Sequence, residues 1–206
     1  MDDLTFFQQT GADVRFDWGY EGVRTLAALS DIVVIIDVLS FTTCVDVVLN
    51  RGGTVFPYPS KGKAAGEYAD QVNAIVAGKR GEPISLSPYE LSTIPFGSRI
   101  VLPSPNGATC SFLARESKAT VVAGCFRNVF RNVSAVASFA RQSEGVVSVI
   151  ACGERWPDGS LRPAFEDLMA AGAILSQLEE QRLSPEALTA VVVFDANERQ
   201  ASTVAC

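Results

Sequence analysis

The stretch "IVVIIDVLSFTT", residues 32–43, decides the fold. Five β-branched residues in a row show no alternation, so they describe a strand covered on both faces, as in the middle of a helix-flanked parallel sheet. The run ends on a carboxylate, Asp37, and Thr42 and Thr43 open a helix expected over 42–50. In open α/β sheets, ligands gather beyond the carboxyl ends of the strands. An acid and two hydroxyls at that rim are therefore candidate functional groups. The same residues also suit a capped turn whose carboxylate is bonded to backbone amides.

Working outward, strands are expected at 31–37, 54–58, 99–102, 119–123, 146–151 and 190–194. Helices are expected at 42–50, 61–77, 107–116, 128–142 and 164–182. The alternation is that of an α/β fold: three layers, α/β/α, around a largely parallel or mixed sheet. Residues 1–206 fit a single domain, or two small lobes of similar topology sharing a core. The alternating "DVRFDW" in segment 4–17 predicts an antiparallel addition at a sheet edge. Residues 80–98, rich in Gly, Pro and Ser, read as a long loop, and 195–206 as a loosely held tail.

A chain that is 48% hydrophobic and 19% charged is globular. Its net charge of −6 argues against a basic nucleic-acid face, so no nucleic-acid partner is expected. No apolar run reaches membrane-spanning length and "MDDLTFFQQT" lacks a signal peptide's positive start, so a cytoplasmic protein with no membrane partner is expected. Five cysteines with no CxxC spacing suggest neither a disulfide framework nor a zinc site. The chain has no histidine, which excludes a Ser–His–Asp triad, phosphohistidine and His-ligated zinc.

Three further motifs follow strands directly. "LPSPNGAT", 102–109, offers the Ser104 and Thr109 hydroxyls and the Asn106-Gly107 amides as an anion nest, or is an ordinary strand-to-helix turn. "AGCFRNV", 123–129, offers Arg127 as a planar cation and Asn128 as a helix cap. It also places Cys125 and Arg131 at the Cys-x5-Arg spacing of cysteine phosphatases, although "FRNVF" lacks the glycines of such a loop. "ACGERWPDGSLRPAFEDLMAAGAI", 151–174, holds Glu154 just past a strand, Arg155 and Arg162 in the loop, and Glu166 and Asp167 in the first turn of a helix. Acids in a first turn are routine helix chemistry. Alternatively, Glu154 with Glu166 or Asp167 meets Asp37 around one Mg²⁺, which needs only one or two carboxylates.

"VVIIDVLSFTT", "SPNGAT", "GCFRN" and "CGERWPDGSLRPAFEDLMAAGAI" together resemble the 2-phosphosulfolactate phosphatase (ComB) family, in order and spacing, from about residue 31 to 180. The resemblance implies a cytoplasmic, Mg²⁺-dependent phosphomonoester hydrolase of α/β/α fold, acting on 2-phospho-3-sulfolactate on the route to coenzyme M. It implies Asp37, Glu154, Glu166 and Asp167 as the acidic catalytic and metal positions. Thr42, Thr43, Asn106, Gly107 and Asn128 fall on the phosphate side, and a homodimer is the assembly it suggests. The family's Asp-Val-Leu-Arg reads Asp37-Val38-Leu39-Ser40 here, its Asn-Gly-Thr reads Asn106-Gly107-Ala108, its Asn-Ser-Pro is reduced to Ser87-Pro88, and the C-terminus is short.

The expected activity is hydrolysis of a small acidic phosphomonoester. Mg²⁺ would be held by Asp37 and one or more of Glu154, Glu166 and Asp167. Ser104, Asn106, Gly107, Thr109, Thr42, Thr43, Arg127, Asn128 and Arg162 would surround the substrate. The alternatives are a non-catalytic anion- or metabolite-binding protein with the same fold, and cysteine chemistry at Cys125.

Overall fold

The computed structural model describes residues 4–79, 81, 82, 84–131, 135, 136, 138, 139, 145–178 and 180–204. The stretch 32–36 forms β2 (Ile32–Ile36), buried along its whole length. On one side it pairs in parallel with β6 (Thr120–Gly124), on the other with β7 (Val147–Ala151). β1 (Val14–Trp18) adds to the outer edge of β7, giving a four-stranded sheet of order β1-β7-β2-β6. A second, three-stranded parallel sheet has the order β3-β5-β4, from Thr54–Tyr58, Arg99–Pro103 and Ile75–Val76. A short hairpin, β8 (Glu154–Arg155) with β9 (Leu161–Arg162), follows β7.

The period of two along the strands sorts side chains between two cores. Val14, Phe16, Ile32, Val34, Ile36, Val147 and Val149 face α6 (Phe165–Leu175) and α7 (Pro185–Val204). Val33, Ile35 and Ile150 face α1 (Gly19–Leu26) and α5 (Gly107–Ala114). The four-stranded sheet is thus the middle of an α/β/α arrangement. A third core, with Phe41, Val48, Ile100 and Leu102, joins α2 (Phe41–Asn50) to the three-stranded sheet. Each Val, Leu or Ile buried in this way contributes roughly 1.5–3 kcal/mol, well above the net worth of a typical hydrogen bond. Packing therefore holds the layers, and polar bonds set their register.

Both α2 and α5 touch strands of both sheets. They lie between the sheets, so the ends of β2 and β5 arrive at one place. α3 (Lys63–Gln71) covers the outer sheet beside β4 and β5, and α4 (Pro88–Leu91) packs on α2.

Four expectations are corrected. The "AVVVF" run at 190–194 is helical, part of α7, with Ala187, Ala190 and Val191 buried against the sheet at helical spacing. The helix runs on to Val204 through residues read as a tail. The edge strand β1 is parallel, not antiparallel, because alternation reports which face is buried and not the chain's direction. The helix expected over 61–77 stops at Gln71; Asn73 takes a positive φ of 49°, and 75–76 turn into β4. In the helix expected at 128–142, positions 132–134, 137 and 140–142 lie outside the described residues, while 129–131, 135, 136, 138 and 139 are helical. The loop at 80–98 carries the short α4.

Candidate functional site

Asp37 closes β2 and is only 6% exposed. Its Oδ2 accepts from the Gly107 amide at 2.7 Å and the Ser104 hydroxyl at 3.2 Å, and its Oδ1 accepts from the Phe41 amide at 3.3 Å. One carboxylate thus ties the end of β2 to the starts of α2 and α5. Gly107 must be glycine: a Cβ there would stand 2.7 Å from Asp37 Oδ2 and 2.4 Å from the Phe41 ring. Burial raises the Asp37 carboxyl above the ordinary value; the Gly107, Phe41 and Ser104 donors partly offset this, and Glu154 adds to it.

Asp167, in the first turn of α6, plays the matching part on the other side. Its Oδ1 accepts from the Val38 amide at 2.8 Å and its Oδ2 from the Gly153 amide at 2.9 Å. It is 3% exposed, and burial pushes its carboxyl up to about 7, with Asp37 contributing after desolvation and the Val38 amide bond opposing. Gly153 has φ +62° and a Cβ would meet the Arg162 carbonyl oxygen at 2.7 Å, so this turn also requires glycine.

Beside Asp37 opens a cavity of about 270 Å³, lined by Leu39, Ser40, Lys61, Ser104, Asn106 and Glu154 among others. Such a volume lies at the small end of ligand pockets. Glu154 is half-buried, and its Oε2 accepts from Asn106 Nδ2 at 2.8 Å. The other amide atom, Asn106 Oδ1, is buried and has no partner among the described residues. A buried acceptor without a donor costs about 1–3 kcal/mol. It is an available ligand atom.

The structure therefore brings Asp37, Ser104, Asn106, Gly107 and Glu154 together, with Asp167 behind the Val38 turn. Other expected site residues do different work. Thr42 donates to the Asp37 carbonyl at 2.8 Å and Thr43 to the Val38 carbonyl at 2.8 Å, so the threonine pair braces the turn. The Asn106 amide donates to Ser104 Oγ and the Gly107 amide to Asp37, so the expected anion nest is closed onto the protein's own acid. Thr109 reaches only the Pro59 and Ser104 carbonyls, at 3.5 and 3.4 Å. Asn128 accepts from the Cys125 amide and donates to the Ala123 carbonyl, capping its own turn.

Arg127 bonds Asp46 at 3.0 Å, together with Arg131, and does not line the Asp37 cavity. Arg162 lies exposed over the Trp156 ring on the hairpin. Glu166 is half-buried beside Asp167, outside the cavity lining. Among the described residues no three Asp, Glu, Cys or His side chains are grouped so as to hold a metal ion. Of the acids expected near Asp37, only Glu154 shares its cavity lining. Cys125 is fully buried, burial raises its thiol, and Arg131 is spent on Asp46 and Asn50, so the cysteine-phosphatase loop is absent.

Sequence reasoning passed over Lys61, three residues past the end of β3, although the strand-end rule points to it. It also passed over Tyr20, whose hydroxyl donates to the Pro105 carbonyl while its ring supports the Arg155 guanidinium at 3.7 Å. No local motif marks that pair, because the contact spans distant segments.

An acid-lined cavity beyond the carboxyl ends of parallel strands is where open α/β proteins bind their ligands. A model of the family described as 2-phosphosulpholactate phosphatase matches residues 20–205. The chain belongs to the 2-phosphosulpholactate phosphatase family, and phosphatase chemistry is the reaction class of that family. No curated protein matches it. Among the described residues no helix is long and apolar enough to cross a membrane.

Proposed function

We propose that the chain hydrolyses a small acidic phosphomonoester in a Mg²⁺-dependent reaction, with 2-phospho-3-sulfolactate, giving 3-sulfolactate, as the substrate the family description favours. The observation that carries this is the convergence of Asp37, Glu154 and the unpartnered Asn106 Oδ1 on one small cavity. These are hard oxygen donors, and Mg²⁺ takes only one or two protein carboxylates and keeps several waters, so they fit the ion without a cage of acids. When bound there, the cation supplies positive charge to the phosphoryl oxygens. Burial holds the Asp37 and Asp167 carboxyls above their ordinary values, and a cation bound beside them would favour their charged forms.

The protein's own groups then have distinct tasks. Glu154 accepts from Asn106 Nδ2 through one carboxylate oxygen, and its other oxygen orients the attacking water and takes its proton. The water oxygen bonds to phosphorus as the ester oxygen leaves, and the leaving alkoxide is protonated from solvent. Ser104 and Gly107 fix Asp37, while Asp167 holds the Val38 and Gly153 turns that frame the cavity. Coenzyme M metabolism as the setting and a homodimer as the assembly belong to the same proposal, on the family resemblance alone.

The test is phosphate release from a panel of phosphorylated three- and four-carbon acids, with Mg²⁺ and with EDTA. Release should require Mg²⁺ and fall by roughly a hundredfold or more in Glu154→Gln. A second reading, a non-catalytic binding protein, is favoured by one observation: both Asp37 oxygens are already engaged by backbone amides. Binding of these acids without metal-dependent phosphate release would select it.

A further inference from the structure

Among the described residues lining the Asp37 cavity, Lys61 alone carries positive charge. It enters from the loop after β3, in the three-stranded sheet, whereas Asp37 and Glu154 follow strands of the four-stranded sheet. The side chain is exposed and makes no ion pair or hydrogen bond among the described residues. Lys63, Arg127, Arg131 and Arg155 lie outside the cavity lining. Lys63 pairs with Glu67 at 3.4 Å, Arg127 and Arg131 pair with Asp46, and Arg155 stacks on Tyr20 with its Nε and Nη2 buried and unpartnered among the described residues. Among the described residues the cavity wall offers no other cation, and Ser40 beside Asp37 donates its hydroxyl to the Leu86 carbonyl at 2.9 Å.

A substrate that is anionic at both ends meets two carboxylates in this cavity, Asp37 and Glu154. A cation beside those acids accounts for the phosphoryl end. The other end needs a positive group of its own, and a cavity of about 270 Å³ keeps that end within reach of the wall. We infer that Lys61 is the specificity-determining residue of the site: it receives the carboxylate or sulfonate of the substrate and so selects small phosphomonoesters with an acidic tail over neutral ones. This rests on the phosphomonoester reading of the site.

The probes are 2-phosphoglycerate and glycerol 2-phosphate, which differ only in a carboxylate against a hydroxymethyl group. Steady-state phosphate release and calorimetric binding are measured for the wild type, Lys61→Met and Lys61→Arg. The wild type should prefer 2-phosphoglycerate in KM and in Kd. Lys61→Met should lose about tenfold to a hundredfold of that preference through KM and Kd rather than kcat, and Lys61→Arg should restore it to within about threefold. An unchanged preference in Lys61→Met, or a wild type indifferent to the carboxylate, overturns the inference. If neither ester is hydrolysed with Mg²⁺ but both bind, the phosphatase reading fails and the ratio of Kd values alone decides Lys61. If neither binds, both fall together.

Discussion

Asp167 sits near neutrality because it is removed from water, and that has a measurable consequence. Its folded-state value of about 7 exceeds the ordinary carboxyl value of 3.8, so the folded chain holds the proton more tightly than the unfolded one. Stability from this group is therefore full below about pH 4 and is lost as pH rises toward 7, by at most about 4 kcal/mol. Asp37, shifted in the same direction, adds to the slope. Urea unfolding in EDTA between pH 4.5 and 8 should show this decline, and Asp167→Asn should flatten it. That variant also leaves one of the Val38 and Gly153 amides without an acceptor, a separate loss of about 1–3 kcal/mol at every pH. At Gly107, alanine would press on Asp37 and the Phe41 ring. Gly107→Ala should cost about 1–3 kcal/mol in a denaturant midpoint and lower phosphate release at the same time.

Elements were legible where local pattern and burial agree. Strand β2 could be read because five unbroken β-branched residues favour a strand covered on both faces, and Asp37 was visible as the acid that ends it. The same reasoning misread 190–194, where β-branched residues also cluster. The spacing Ala187, Ala190, Val191, Phe194 held the helical answer, and packing on α6 overrode intrinsic preference. That packing is close: a Cβ on Gly172 would lie 2.4 Å from the Ala190 carbonyl oxygen and 2.5 Å from Phe194 Cβ. Gly172→Ala should push α6 and α7 apart and cost about 1–3 kcal/mol, read as a lower urea midpoint. The site was half legible for a related reason. Residue type pointed to Asp37, Asn106 and Glu154, but hydrogen-bond partners decide whether a hydroxyl or amide faces a ligand or its own turn. Thr42, Thr43 and Asn128 face their own turns, and only coordinates show this.

At the scale of the molecule, α2 and α5 lie between two parallel sheets, and the candidate site lies where strands of both sheets end. Ligand binding there should stabilise both sheets as one unit. Mg²⁺ with phosphate at about a hundred times the dissociation constant adds about 2.7 kcal/mol, a rise of roughly 5–10 °C in Tm with a single transition. A melt that split in two, with only one half responding, would show that the sheets unfold separately. Neither the sorting of strands into two sheets nor their shared rim was legible in the sequence, because nothing in 54–58 or 99–102 names β2 as the neighbour across the helices.

The amide bonds around Asp37 have a practical consequence for anyone who needs an inert but intact reference protein. Neutralising Asp37 would unfasten two helix starts from the strand they share, so a dead preparation made there would confuse damage to the scaffold with loss of chemistry. Glu154 is held by a single side-chain amide, and its glutamine counterpart is the cleaner blank.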